Sequence, residues 1–308
     1  MIKTLPLKVF SLNRSPDNIN YQLFEFFLLL ENLCKYKYSG YMEIKGNKYS
    51  FVILIDEGIP VSYVDITNNP MEISPIIFKY RVEEELNVKT YIMPVGYSSI
   101  LRGYYLFENQ VMNYNINNYR DWESLILRLS KKNTTGIIQL DLMNNTYYLL
   151  MKAGNLFLRP DMINNQSLIV CSYYFTELIT EKLKNNARGM VSVFGIDNKE
   201  LDEKMRENDV KHSLVKELEV KEMKGVAFGG ASISISQEII DFWISSLQTT
   251  QFFLKIEGLE ERINVAIKRD PKLSPDVIVL PSSVMQKIKI RDRRIMNGEK
   301  IAVYPELL

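Results

Sequence analysis

Phe24-Glu-Phe-Phe-Leu-Leu-Leu-Glu-Asn-Leu-Cys-Lys-Tyr-Lys-Tyr-Ser-Gly40 and Arg120-Asp-Trp-Glu-Ser-Leu-Ile-Leu-Arg-Leu-Ser-Lys-Lys-Asn-Thr-Thr-Gly136 decide the fold, because they are one pattern written twice. Gly40 and Gly136 stand 96 positions apart, and so do Gly58 and Gly154, with no gap needed between them. Leu29, Leu30 and Leu33 fall on Leu125, Ile126 and Leu129 in that register, and Val52–Ile55 falls on Tyr148–Met151. Chance supplies one such match. A shared offset across a helix, a strand pair and two glycines marks an internal duplication.

Each copy has a physical reading. Leu125, Ile126 and Leu129, with Trp122 one turn earlier, give one apolar helical face, and Asp121 is expected to cap that helix. The glycine after the polar stretch suits the turn from helix into strand. Ile137–Leu142 and Thr146–Met151 read as a hairpin, and Lys152-Ala-Gly154-Asn as a second tight turn before another strand. The first copy repeats the plan with Tyr41–Ile44, Tyr49–Ile55, a turn at Asp56-Glu-Gly58 and Ile59–Val64. A helix near 173–186 and a strand opening on Gly189 continue the second copy. Gly40, Gly58, Gly136, Gly154 and Gly189 are therefore expected to be structural turn residues. The expected fold class is α+β: tandem repeated modules of a helix plus a small antiparallel sheet, with a third small α+β or β domain.

The pattern Ser-Gly-Tyr-Met-Glu-Ile, then Phe-Val-Ile-Leu-Ile-Asp-Glu-Gly-Ile-Pro-Val-Ser-Tyr, resembles the PATAN-type domain of bacterial response regulators. Gly136, Leu149–Met151, Gly154, the segment around Leu178 and Gly189-Met-Val-Ser-Val follow the order of that domain over residues 119–197. The first copy matches through Tyr63 and then departs, with Pro70, Pro75 and Tyr80-Arg-Val-Glu-Glu-Glu where a second helix is due. The resemblance implies a non-catalytic bacterial regulatory protein whose partner is a small GTPase or a two-component receiver. It supplies no catalytic residue.

Domain boundaries follow: a first module over 1–115, a second over 116–197, a charged linker or helix over 198–224 and a C-terminal α+β domain over 225–308. The linker reading rests on Asp197–Lys224, where 16 of 28 residues are charged with alternating signs. Beyond it, Ser236 opens a helix, and Phe252–Glu257 with Arg262–Lys268 reads as a hairpin. That order leaves a decayed third copy open.

With 38 basic and 37 acidic residues the net charge is +1, so no whole-chain field draws the protein to nucleic acid or anionic lipid. One histidine, His212, and two cysteines, Cys34 and Cys171, exclude most zinc sites, iron–sulfur clusters and a disulfide framework. The N-terminus lacks a signal-peptide pattern, and no apolar run approaches the ~20 residues of a membrane span. A cytoplasmic location is expected, with no cofactor, no metal, no nucleic acid and no membrane partner.

Gly229-Gly230 ahead of a helix lacks the rest of a P-loop or dinucleotide motif and reads as a strand start. The basic cluster of Lys287, Lys289 and Arg291-Asp-Arg-Arg294 reads as a solvated edge. His212 reads as a surface residue, and Glu83-Glu-Glu85 as a solvated run. Eighteen tyrosines are more informative, since exposed tyrosines favour interfaces. Tyr41, Tyr63, Tyr147 and Tyr148 are expected interface positions. The functional expectation is a non-enzymatic regulatory adaptor or scaffold binding a protein partner through sheet edges and tyrosines, with homo-oligomers allowed. The alternative is a small-ligand or nucleotide sensor with a pocket near Gly229-Gly230.

Overall fold

The computed structural model describes residues 18–106, 111–143, 145–156, 179–185, 187–223, 232–260 and 266–307. These form two compact units. The first comprises 1–72 and 85–206, and the second comprises 73–84 and 207–308. The fold is α+β, as expected.

The first unit begins with β1 (Asn18–Gln22), α1 (Leu23–Lys35), β2 (Gly40–Lys45), β3 (Ser50–Asp56), β4 (Ile59–Asp65) and β5 (Met71–Ile73). After α2 (Pro75–Arg81), which belongs to the second unit, the chain returns as β6 (Glu85–Ile92) and α3 (Tyr97–Leu106). The strand order is β1-β6-β2-β3-β4-β5. The second half runs β7 (Val111–Ile116), α4 (Tyr119–Lys131), β8 (Thr134–Leu142), β9 (Asn145–Lys152), β10 (Asn155–Leu156), β11 (Gly189–Asp197) and α5 (Asn198–Ser213), the last of which is assigned to the second unit from residue 207 on. Its strand order, β10-β9-β8-β11-β7, is the first sheet read from the other end and without the β5 strand.

The duplication extends to single bonds. α1 and α4 both have 13 residues, starting 96 positions apart. Gly40 pairs with Ile55 across β2 and β3, and Gly136 pairs with Met151 across β8 and β9. Left-handed Lys37 (φ 54°) recurs as Asn133 (φ 48°), and Glu57 (φ 49°) recurs as Ala153 (φ 47°). The α4 cap differs from expectation. Asn118 is the N-cap and accepts from the Asp121 amide, while the Asp121 carboxylate accepts from the Asn117 amide. Asp121 thus answers the cap from the first turn.

α3 has no copy. Tyr97, Ser98, Ile100, Leu101, Tyr104 and Tyr105 are all buried, so the helix is covered all round. On one side it meets Tyr41, Val52, Leu54, Val64 and Tyr91 of the first sheet, and on the other Ile137 and Leu150 of the second. Because side chains alternate along a strand, Met42, Ile44, Phe51, Ile53 and Ile55 face away from α3, where α1 lies against β1 and β6. Likewise Ile138, Leu140, Leu149, Met151 and Val193 join Trp122, Leu125 and Leu129 of α4 in a separate core. Both sheets are covered on two faces.

The second unit contains α2 with β12 (Lys216–Glu222), β13 (Ser232–Ser236), α6 (Gln237–Leu247), β14 (Phe252–Ile256), β15 (Ala266–Asp270), β16 (Val277–Leu280), α7 (Ser282–Met285), β17 (Lys289–Ile290), β18 (Arg293–Arg294) and β19 (Lys300–Leu307). Its sheet is mixed, in the order β14-β19-β12-β16-β13-β15, with β12 parallel to β16 and β13 parallel to β15. Trp243 is fully buried at its centre and donates its indole N–H to the Leu214 carbonyl at 2.8 Å. Burying such a side chain contributes about 2–3 kcal/mol.

Three expectations are corrected here. The 198–224 run, expected as a charged linker or helix, is helical only as far as Ser213 and then enters a strand. It folds as α5 and then β12, because Leu218 and Val220, two apart, fill one strand face among charged neighbours. The boundary after residue 115 falls inside β7, a strand of the second sheet, and 73–84 belongs with the C-terminal unit. The C-terminal unit does not follow the order of a third copy: among the described residues β14 pairs with β19 and β15 with β13, and not with each other as a hairpin would.

Candidate functional site

Of the five glycines expected in turns, Gly58 and Gly154 serve turns, whereas Gly40, Gly136 and Gly189 lie in the strands β2, β8 and β11. The Gly58 amide donates to the Tyr38 carbonyl at 2.8 Å and the Gly154 amide to the Thr134 carbonyl at 2.9 Å. Beside them, the Ser39 hydroxyl accepts from the Glu57 amide and the Thr135 hydroxyl from the Ala153 amide, each at 2.8 Å. Each β-turn is thereby pinned to the loop leaving its helix. Sequence reading passed over Ser39 and Thr135, although the hydroxyl residue before each glycine is the signal that marks them. Gly40 and Gly136 allow close strand approach: a Cβ there would lie 2.0 Å from the Tyr91 carbonyl oxygen and 2.1 Å from that of Phe194. Gly189 also lies close under a strand carbonyl, an added Cβ falling 2.5 Å from the Asp141 oxygen.

The tyrosines lie elsewhere than expected. Tyr41 is fully buried and stacks on Tyr91, with ring centroids 4.3 Å apart. Tyr147 is buried and its hydroxyl accepts from the Lys182 ammonium at 2.8 Å. Tyr63 and Tyr148 are half-buried. Burial pushes the Tyr63 hydroxyl up to about 12, helped by Cys34 nearby, and raises Tyr148 as well, with the Asp141 charge adding to the effect. Much of the tyrosine content is packed around α3, which needs large side chains to span two sheets. Burial thus removes Tyr41 and Tyr147 from the expected surface, whereas Tyr63 and Tyr148 keep part of theirs. Gly229-Gly230 and Cys171 lie outside the described residues. Among the described residues, no group of three or more His, Cys, Asp or Glu is arranged to hold a metal.

Chemistry gathers instead in the second unit, around α2. Ser74 caps this helix by accepting from the Ile77 amide, and Ile77 and Phe78 are buried. At its far end the Arg291 guanidinium donates to the carbonyls of Lys79 and Val82 at 2.8 and 2.9 Å. A cation there satisfies orphan carbonyls and the negative end of the helix dipole. Arg291 (φ 50°) and Asp292 (φ 62°) form the tight turn between β17 and β18, both left-handed and neither glycine. Such backbone costs about 1–3 kcal/mol per residue and persists where the surroundings hold it.

A cleft of about 260 Å³ opens beside this turn, lined by Lys79, Tyr80, Ile290, Arg291, Arg293, Ile295, Glu299 and Lys300. Two carboxylates organise it. Glu217 accepts from the Lys79 ammonium at 2.6 Å and the Tyr80 hydroxyl at 2.8 Å, with Lys300 at 3.9 Å. Glu299 accepts from Arg293 at 2.5 Å and from the Met296 amide at 2.7 Å. Partial burial raises both carboxyls, but these donors outweigh it and hold them below the ordinary carboxylate range. Burial, then the hydrogen bond to Glu217, raises Tyr80 far above its ordinary value, so its hydroxyl stays protonated.

The charges are layered. Lys79, Arg293 and Lys300 are 55%, 63% and 61% exposed, whereas Glu217 and Glu299 are 23% and 26% exposed. Cations therefore face solvent over recessed carboxylates, with Ile290 and Ile295 as apolar lining. The arrangement suits binding an anionic group and contains no nucleophile paired with a base. The basic cluster expected as a solvated edge supplies one of these cations, Arg293, and Arg291 beside it lines the cleft. Sequence reading missed Lys79, Tyr80, Glu217, Glu299 and Lys300 here, because they come from segments up to 221 positions apart. No protein-family model, curated protein or solved structure matches the chain.

Proposed function

We propose that this chain is a non-enzymatic regulatory adaptor of the bacterial cytoplasm whose C-terminal unit engages an acidic segment of a partner protein. The observation that carries the reading is the layered cleft, with three exposed cations over two recessed carboxylates. Electrostatic complementarity of this kind steers encounter and sets specificity. The PATAN-type pattern supports the regulatory role and points to a small GTPase or a receiver as the partner. The cleft takes over the role first assigned to Tyr41, Tyr63, Tyr147 and Tyr148.

A second reading is favoured by the cleft's volume, which also accommodates a small anionic ligand. That ligand-sensor reading moves the pocket from Gly229-Gly230 to the α2 cleft. Titrating the full chain with a fluorescent Asp/Glu-rich peptide tests the adaptor. Binding is expected near tens of micromolar at low salt and weakens as salt screens it. The double change Arg293→Glu and Lys300→Glu should lower affinity by roughly tenfold or more, as inserted like charge repels the peptide. Thermal stabilisation by pyrophosphate or a nucleoside triphosphate, with no peptide binding, would favour the sensor. The absence of both responses would defeat both readings.

A further inference from the structure

We propose that α1 and β1 form a twofold interface with a second copy of this chain, α1 packing antiparallel against its mate and the two β1 edges pairing. The duplication provides an internal control for this face. Phe24 is 77% exposed, Leu28 48% and Ile19 46%, all within β1 and α1. At the equivalent positions of α4, 96 residues on, Arg120 replaces Phe24, Glu123 replaces half-buried Phe27 and Ser124 replaces Leu28. α4 retains a single strongly exposed apolar residue, Leu127, where α1 has Glu31. Two helices with the same fold and the same attachment thus differ in what they offer outward. The apolar choice in α1 is not required by the module, because α4 does without it.

Three observations identify the occupant as another copy. The exposed residues of α1 are 24, 25, 28, 31, 32 and 35; of these, 24, 28, 31 and 35 form one stripe down the helix, with 25 and 32 on its flank. That stripe and its flank carry Glu25 and Glu31 before Lys35, followed by Lys37. An antiparallel mate sets Glu25 against Lys35 and lays Phe24 over the Lys35 stem or the exposed ring of Tyr36, so the charges are self-complementary about a twofold axis. Among the described residues β1 is the terminal strand of its sheet, and Asn18-Ile-Asn-Tyr-Gln22 contains no charge and no proline. Terminal strands are ordinarily guarded by lysine, proline or a bulge. Here a twofold mate meets no like charge. Ile19 and Tyr21 pair with Val88 and Leu86, on the sheet face that α1 covers, so edge and helix form one continuous surface. β7 is equally uncharged, but the helix beside it is polar outside.

Light scattering and sedimentation of the full chain between about 1 and 100 µM test this. The wild type is expected to show a monomer–dimer equilibrium with Kd on the order of 10 µM. Phe24→Arg with Leu28→Ser, which installs the residues of α4, should raise Kd by roughly tenfold or more. Its unfolding temperature, compared at concentrations where both proteins are monomeric, should match the wild type. Lys35→Glu should also weaken the dimer, and adding Glu25→Gln, which keeps the helix cap, should recover part of the loss. A wild type monomeric at about 100 µM, or a dimer indifferent to the Phe24 and Leu28 changes, overturns the proposal. The acidic-peptide titration reads a different surface, so a monomer that still binds peptide defeats this inference and spares the adaptor.

Discussion

Arg81→Ala is expected to destabilise the C-terminal unit by about 3–5 kcal/mol, the range for removing one partner of a buried ion pair. Arg81 donates from Nε to Glu257 Oε2 at 3.1 Å and from Nη2 to Oε1 at 2.9 Å. Tyr304 donates to the same Oε1 at 2.9 Å. The two charged side chains are only 18% and 8% exposed. Alanine at 81 leaves the Glu257 carboxylate covered and holding one neutral donor, and desolvation of that charge is the penalty. The companion change Glu257→Ala should cost a similar amount. Replacing both by Met and Leu should be close to neutral, because it also removes the desolvation penalty. Urea unfolding of the full chain gives these differences. A loss within about 0.5 kcal/mol for Arg81→Ala would show that water reaches the pair.

Gly58→Ala and Gly154→Ala should each lower stability by about 3 kcal/mol, and by similar amounts, because they occupy one position in two copies. Both glycines are left-handed, at φ 82° and 78°. An added Cβ would lie 2.2 Å from the Cys34 carbonyl oxygen in one and 2.5 Å from that of Ser130 in the other. Backbone cannot yield as a flexible side chain would, so strain and clash add. Gly298 separates the two terms. It sits at φ 86° with nothing within 4 Å of an added Cβ, so Gly298→Ala should cost only the conformational part, about 1 kcal/mol. Thermal or urea unfolding of the three variants makes the comparison. Equal losses at all three sites would remove the clash from the explanation.

Sequence alone reveals the module because its signals are local: a helix period, β-rich strand runs and glycines at a constant offset. It does not reveal α3, whose stretch Tyr97-Ser-Ser-Ile-Leu-Arg-Gly-Tyr-Tyr-Leu106 has no polar face to set a helical period. Even its arginine is covered, since Arg102 donates to Glu72 at 2.8 Å with the two side chains 11% and 2% exposed. β12 is hidden for the opposite reason: only Leu218 and Val220 are apolar between charges, and Leu214 with Leu218 imitates a helical spacing. The cleft is the least legible. Lys79 and Glu217 are 138 positions apart, and no pattern in either segment announces the other. Tyrosine abundance misleads because composition does not separate a large core spacer from an interface residue. Layered packing decides that, with Tyr41 enclosed between a sheet and α3.

The account stands on residues 18–92 and 111–197 being two copies of one module, closed by the same turn lock. Amide hydrogen exchange reads that lock in both copies at once. Amides of Glu57, Gly58, Ala153 and Gly154 sit in turns, yet each donates to Ser39, Tyr38, Thr135 or Thr134. They should exchange as slowly as neighbouring strand amides, with matched protection between copies. Rapid exchange in either turn, or strong protection in one copy and none in the other, would contradict the shared module.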